Sequence, residues 1–257
     1  MVERATEVVE PHTQLLRVTL EADNARAYWQ RSTPGATAGD QEVEQAFVEF
    51  WFGAKTMPRV RALIAAFRAR FAAFPGALAA LHAWPDMDRA TRVLVCHWHL
   101  QLSDPLYRRF TGDYLVERRQ GGRETVSRGP VIRWIAEVDD QGRWSASTRA
   151  QFASKLLSAA HSAGFVASIR DPRALTLPRV PAGALGYLMY LLRSVVFAGS
   201  LLDNPYLRSV GLAGSAVDDK LRTVAGLSCR RTGDVSEFTW DHDSLEDWVR
   251  HTRGSTA

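Results

Sequence analysis

The chain has 257 residues, of which 46% are hydrophobic and 23% charged, so its composition excludes a disordered protein and leaves room for one large domain or two modest ones. Two cysteines, Cys96 and Cys229, are too few for a disulfide framework and favour a reducing, cytosolic setting. A net charge of +4 excludes a protein that strongly repels acidic partners, but it excludes little else.

The first part of the chain is predicted to be helical, with no signal peptide and with a loop at 32–40. A long helix follows, is interrupted between Gly53 and Pro58, and ends at Pro75. Its second part repeats apolar residues at helical spacing, namely Val60, Leu63, Ile64, Phe67, Phe71 and Phe74. Four arginines flank this apolar face, where they could contact phosphates or simply extend into solvent. They are Arg59, Arg61, Arg68 and Arg70.

Two further helices are predicted, one from after Asp86 to Leu102 and one over 105–118. The first of them carries Cys96, His97 and His99, residue types that bind metals. No second Cys or His pair stands at the spacing of a structural zinc site. We therefore expect a buried cysteine and hydrogen-bonded core histidines, with neither a metal nor a cofactor.

A helix–turn–helix is predicted after a polar, glycine-rich stretch at 119–129, which suits a domain boundary. The first helix covers 131–138, and Ser145 caps a longer second helix that ends at Gly164. Opposite the apolar face of this second helix runs a narrow polar strip without acidic residues. The strip comprises Ser147, Gln151, Ser154, Lys155, Ser158 and Ser162. The residues predicted to approach DNA bases are Ser147, Thr148, Arg149, Gln151, Ser154 and Lys155.

A β-ribbon is predicted next, with strands at 165–169 and 175–177. Helix, turn, helix and ribbon is the winged-helix order, in which the second helix enters the major groove. A plain helical hairpin packed on a core fits the same pattern. Arg170 and Arg173, on the predicted turn of this ribbon, are expected to contact phosphates.

An apolar segment at 180–202 is long enough to span a membrane. Arg193 lies near its centre, where a charge costs about 2.5–3.5 kcal/mol in a bilayer, so we predict a buried helix over about 181–198. Shorter helices are expected near Tyr206 and over 215–225.

A nuclease alternative depends on acidic residues in this part of the chain. Asp203, with Asp218 and Lys220, matches the minimal pattern of a metal-dependent nuclease. That site needs its Asp-x-Lys on a strand. Here the two residues lie in a predicted helix, where they would form an ordinary solvated face.

A β-hairpin is predicted over 227–240, with a turn at 232–234. It is a second candidate wing, because it follows three helices. Arg230 and Arg231 lie on it and are predicted to contact phosphates. Asp243 is expected to cap the last helix.

The charge is unevenly distributed along the chain. The first 50 residues hold nine acidic and four basic residues, and the segment from Thr232 onward holds six acidic and two basic ones. Residues 51–231 therefore carry a net charge of +13. A basic centre between acidic ends favours a polyanionic partner, although an unevenly charged ordinary surface has the same pattern.

Three sets of residues occur in order along the chain. The first is Phe52–Thr56, followed by Val60, Phe67, Arg70 and Phe71; the second is Trp144-Ser145 with Thr148, Leu156-Leu157 and Ala163-Gly164-Phe165; the third is Phe238-Thr239-Trp240. Together they resemble the BrxA family of bacteriophage-exclusion (BREX) defence systems, over about residues 20–250. The resemblance implies a helical, non-enzymatic accessory protein with winged-helix-like parts that binds double-stranded DNA. Part of that fold is similar to the RNA-binding antitermination factor NusB. The family has also been labelled an inner-membrane protein, which the segment 180–202 would explain.

The predicted fold is mostly α, with a helical N-terminal domain over 1–126, a winged-helix-like unit over 127–178, and a second helical, winged-helix-like unit with a β-hairpin over 179–257. We expect a cytoplasmic location, no enzymatic activity, no membrane contact and no small-molecule substrate. The expected partners are double-stranded DNA and other BREX subunits. Two binding alternatives stay open: an assembly adaptor that docks other defence subunits through the acidic ends, and an RNA-binding protein of the antitermination type.

Overall fold

The structure, a computed structural model, describes residues 4–35, 39–232 and 235–253 of the chain. It is mostly helical, as predicted, with small two-stranded sheets. The helices are α1 (Gln14–Arg17), α2 (Ala22–Arg31), α3 (Asp40–Val48), α4 (Met57–Phe67), α5 (Ala77–His82), α6 (Arg89–Ser103), α7 (Pro105–Arg109), α8 (Leu115–Gln120), α9 (Arg128–Val138), α10 (Ala146–Ser162), α11 (Ala182–Arg193), α12 (Pro205–Ser209), α13 (Ser215–Leu221) and α14 (Leu245–Arg253). The strands are β1 (Ala5–Thr6), β2 (Thr125–Val126), β3 (Arg173–Ala174), β4 (Val195–Val196), β5 (Leu227–Thr232) and β6 (Val235–Trp240). Two π-helical segments, Arg68–Ala72 and Phe110–Tyr114, continue α4 and α7.

The predicted apolar face of α4 and its π-helical extension is confirmed. All six of its predicted residues are buried, namely Val60, Leu63, Ile64, Phe67, Phe71 and Phe74. The ring of Phe67 lies within 6.0 Å of the rings of Tyr28, Phe52 and Phe71. This aromatic cluster holds α2 and the loop before α4 against the same face, because rings at such distances pack closely.

Helix α6 lies at the centre of the core, since every residue from 94 to 103 is buried. Helix α11 packs against it and is buried over 183–192. The prediction of a buried helix here is confirmed, although α11 ends at Arg193 because the chain then enters β4. Among the described residues, no helix is both long and apolar enough to cross a bilayer.

The N-terminal residues are anchored across the molecule, which local patterns did not predict. β1 pairs in parallel with β4, so that Ala5 lies opposite Val195. The buried carboxylate of Glu7 accepts hydrogen bonds from the backbone of Ala198, at 2.9 Å, and from the hydroxyl of Tyr206. Arg108 completes this buried cluster, with its Nε 3.5 Å from Glu7.

Two helices joined by a turn are present as predicted, although α9 begins at Arg128 rather than at 131, and Ser145 caps α10 by accepting a hydrogen bond from the Thr148 amide at 3.2 Å. The ribbon after it differs from the prediction. The strand expected at 165–169 is reduced to a single antiparallel bridge between Val166 and Leu175. The second strand of the ribbon begins earlier than predicted, at β3. This strand also pairs with β2, which lies inside the stretch 119–129 that was predicted as a domain boundary. The segment 173–175 is therefore flanked by β2 on one side and by the residues after α10 on the other.

The C-terminal hairpin is confirmed in its strands, with Leu227 opposite Trp240. Its predicted turn residues Gly233 and Asp234 lie outside the described residues. The predicted cap of the last helix is wrong by one position. The backbone amide of Asp247 donates a hydrogen bond to the hydroxyl of Ser244 at 3.1 Å. Ser244 stands three residues before Asp247, which is the spacing of an N-cap side chain and the amide it accepts from.

The buried apolar side chains of the described residues form one contiguous cluster that extends from Leu15 to Val249. The three predicted units therefore share a core. Phe110 and Trp134, for example, bring α9 against the π-helical segment that continues α7, with their ring centroids 5.7 Å apart.

Candidate nucleic-acid interface

The exposed face of α10 is polar and carries no acidic side chain. Ser147, Gln151, Ser158 and Ser162 are exposed, and Lys155 is half-buried. At about 100° per residue, these positions fall within about 80° of the helix circumference. Because Lys155 forms no ion pair with a carboxylate in the described part of the chain, its ammonium group is available to a ligand.

Three of the residues predicted to approach bases are placed differently from the rest. Arg149 is half-buried and lies about 160° around the helix from Gln151, on the side of the buried Leu156, so it does not belong to the strip. Thr148 lies outside the arc of the strip, about 60° from its centre, and its hydroxyl, like that of Ser147, is 2.9 Å from the hydroxyl of the capping residue. The Ser154 hydroxyl accepts a hydrogen bond from Arg128 Nε at 2.9 Å. The strip available to a ligand therefore comprises Ser147, Gln151, Lys155, Ser158 and Ser162, and we keep the name polar strip for these five residues.

Arg128 connects α9, α10 and the ribbon, a role for which the sequence carried no local signal. Its side chain also donates to the Ala150 carbonyl at 3.1 Å, and its backbone amide donates to Asp171 at 2.7 Å. The other Asp171 oxygen accepts from Arg173 Nε at 2.8 Å. Burial would raise the pKa of Asp171, but these hydrogen bonds outweigh it and lower that pKa. The ribbon is thus held in a set position relative to the polar strip.

The loop of the ribbon exposes one basic and one apolar side chain. Arg170 is exposed and forms no ion pair with a described carboxylate. Ile169 beside it is 66% exposed. Arg173, which was predicted to contact phosphates, is instead buried and paired with Asp171, because β3 turns its side chain into the ribbon.

Three of the four arginines predicted to contact phosphates on α4 and its π-helical extension are paired with the acidic N-terminal part of the chain. Arg59 lies 2.5 Å from Glu21, and Arg68 pairs with Glu42. Arg61 lies 3.6 Å from an exposed carboxylate, that of Asp40. The separation of charge seen along the sequence is therefore partly cancelled in space, which lowers the positive potential at this helix.

Arg70 was predicted to contact phosphates, and that prediction is wrong. Its side chain is only 4% exposed, and its guanidinium donates to the backbone carbonyls of Val18 and Thr19, at 2.6 Å each. The π-helical segment that follows α4 turns this residue inward. Arg70 is thus a structural residue that holds the segment between α1 and α2.

On the C-terminal hairpin, the two predicted arginines differ. Arg231 pairs with Asp218 at 3.2 Å, whereas Arg230 is exposed and pairs with no carboxylate in the described part of the chain. This pairing also bears on the nuclease alternative, since Asp218 and Lys220 lie on α13 rather than on a strand. Asp203 is paired as well, with Arg208 at 2.7 Å.

The cluster around Cys96 is a hydrogen-bonded core, as predicted. His97 lies 2.9 Å from both the Tyr107 hydroxyl and the Ser209 hydroxyl. His99 contacts the Arg70 carbonyl at 2.5 Å and the Tyr187 hydroxyl at 2.7 Å. Within the described residues, no group of three or more His, Cys, Asp or Glu is arranged to hold a metal ion.

The two buried histidines make stability dependent on pH. Burial lowers the pKa of His97 and of His99 to about 3, whereas the unfolded chain takes up protons near pH 6.5. Stability that is fully present above about pH 6.5 is therefore lost as the pH falls toward 3, by about 1.4 kcal/mol per pH unit for each ring. Urea unfolding at about pH 7.5 and pH 5 measures this loss. The variant His97→Gln should show a shallower pH dependence, and an unchanged pH dependence would contradict the prediction.

A comparison with protein-family models found none that matches this chain, and a comparison with curated proteins found no match either.

Proposed function

We propose that the chain is a non-enzymatic, double-stranded DNA-binding accessory protein of the BrxA type in a BREX phage-defence system, and that residues 115–177 form its winged-helix unit. The observation that carries the proposal is the exposed, acid-free polar strip of α10 beside a basic ribbon loop. The order α8, β2, α9, α10 and ribbon supports it as well. In that order α10 is the helix that would enter the major groove.

The N-terminal half of α10 is the part that would approach the base edges of the duplex. Ser147 and Gln151 lie there and Lys155 lies just past the midpoint of the helix; hydroxyl, amide and ammonium groups hydrogen-bond base edges or phosphates. The C-terminal end of α10 borders a cavity that is also lined by Glu21 and Asp23, whose carboxylates lower the positive potential there although both are paired with arginines. Arg170 on the ribbon loop would then contact the backbone beside the groove.

A second candidate function, an adaptor for other defence subunits, is favoured by one observation. Val48 and Phe50 are 64% and 62% exposed, and they lie beside the exposed carboxylates of Glu44 and Glu49. The backbone of Phe50 has a φ of 51°, a left-handed conformation that is costly for a non-glycine residue. An exposed apolar pair rimmed by acidic groups suits contact with a basic protein surface.

A gel-shift series tests the proposal. Duplex DNA, an RNA hairpin and single-stranded DNA are each titrated at about 50 and 200 mM salt with magnesium present. We expect retention of the duplex and a steep loss of affinity at the higher salt, because phosphate contacts release counterions. Preference for the RNA hairpin would favour the antitermination type, cleavage would favour a nuclease, and no retention would favour the adaptor.

A further inference from the structure

A group of arginines that local sequence patterns did not single out surrounds the extended segment 175–179. Arg119 and Arg123 line a cavity of about 450 Å³ on one side of it, together with residues 175–177. Arg89 and Arg179 line a second cavity of about 410 Å³, to which Pro178 and the C-terminal end of α10 also contribute. Because Leu177 and Pro178 are consecutive in the chain, the linings of the two cavities meet along this segment.

These arginines differ from those of α4 in their pairing. Arg89, Arg119, Arg123 and Arg179 form no ion pair with any carboxylate in the described part of the chain. Glu124 is the one carboxylate that lines either cavity in that part. The group therefore has an excess of positive charge, which favours an anionic ligand.

The acidic residues of the cavity next to Arg89 are already engaged. Arg89 also borders the cavity that contains Glu21 and Asp23. Glu21 lies 2.5 Å from Arg59, and an Asp23 oxygen lies 3.8 Å from Arg92. These pairs reduce the attraction that the two carboxylates exert on Arg89.

Arg119 holds a set orientation in this group. Its guanidinium donates to the Thr176 carbonyl at 2.9 Å and lies 5.9 Å from the centre of the Phe165 ring. Its buried Nε has no hydrogen-bond partner in the described part of the chain. A guanidinium that is positioned in advance loses little side-chain entropy when a phosphate binds.

We propose that Arg89, Arg119, Arg123 and Arg179 form a phosphate-binding belt that follows the backbone of a DNA duplex beyond the C-terminal end of α10. Residues 176 and 179 are separated by roughly 10 Å in an extended chain, or about three base-pair steps of one strand. The belt would lengthen the duplex footprint past the polar strip and the ribbon loop. It rests on the duplex binding proposed above.

The triple variant Arg89→Gln, Arg123→Gln, Arg179→Gln tests the belt, and Arg119 is kept because it packs on Phe165. Each lost phosphate contact lowers the slope of log affinity against log salt by about 0.9, so we expect a slope lower by about 2 to 3 on a duplex of about 24 base pairs. The matched control is Arg26→Gln, Arg31→Gln, Lys55→Gln, which removes the same charge from exposed positions in the N-terminal part. Its slope should stay within about 1 of the parent's.

Failure of the belt and failure of the proposed function are distinguishable. A triple variant that binds the duplex with the parent's slope, or with the slope of the control, overturns the belt while duplex binding stands. A parent chain that binds no duplex overturns the proposed function. In that case linear polyphosphate is titrated instead: binding that the triple variant loses and the control keeps supports the belt, and equal binding by both variants, or none by the parent, overturns it.

Discussion

Lys155→Glu is expected to weaken duplex binding at least tenfold, whereas Arg149→Glu should change it by no more than about threefold at physiological salt. Lys155 belongs to the polar strip and forms no ion pair with a described carboxylate, so its loss removes a direct contact and places a negative charge against the groove. Contacts of this kind are worth about 1–3 kcal/mol, and 1.4 kcal/mol corresponds to tenfold in affinity. Arg149 lies on the far side of the same helix.

The two variants are a matched pair, since both replace a cation by a carboxylate on α10 two turns or less apart. Fluorescence anisotropy with a labelled duplex gives the affinities, and thermal melting verifies that both variants fold. Equal weakening by Arg149→Glu and Lys155→Glu would contradict the assignment of the polar strip, because it would mean that only the overall charge of the helix matters.

Arg70→Met is expected to lower the free energy of unfolding by about 2–5 kcal/mol. Methionine fills much of the same volume but cannot donate to the carbonyls of Val18 and Thr19, which would remain buried without these donors. An unsatisfied buried polar group costs about 1–3 kcal/mol. Burial lowers the pKa of Arg70 to about 10, so the guanidinium is still charged at neutral pH and donates charged hydrogen bonds.

Arg61→Met serves as the control, because Arg61 is on the same helix at a position where the side chain is 63% exposed. Its pairing partner Asp40 has a side chain that is 91% exposed, and ion pairs of this kind contribute about 0–1 kcal/mol. Urea unfolding followed by circular dichroism measures both variants. A loss for Arg70→Met no larger than that for Arg61→Met would show that its two hydrogen bonds contribute little.

Elements whose signal is local were predicted from the sequence with good bounds. Ser145 as the cap of α10, the apolar face of α4 and the strands of the C-terminal hairpin all depend on residues within a few positions of one another. Side-chain spacing and capping chemistry act over that range, so the printed order of residues contains the information. The ribbon was predicted less well, because β2 and β3 are joined by pairing across 47 positions of the chain.

The distribution of charge shows most clearly what the sequence determined and what the tertiary structure decided. The sequence by itself determined that arginines are concentrated in its middle part and that α10 carries a face without acidic residues, and it predicted that His97 and His99 are hydrogen-bonded in the core. Only the tertiary structure decided which arginines remain available. Glu21 and Glu42 fold back onto Arg59 and Arg68, whereas the arginines of the proposed belt have no such partner within the described residues. A helical wheel describes one element at a time, whereas Coulomb attraction depends on distance in space, and the chain brings together charges that are tens of residues apart.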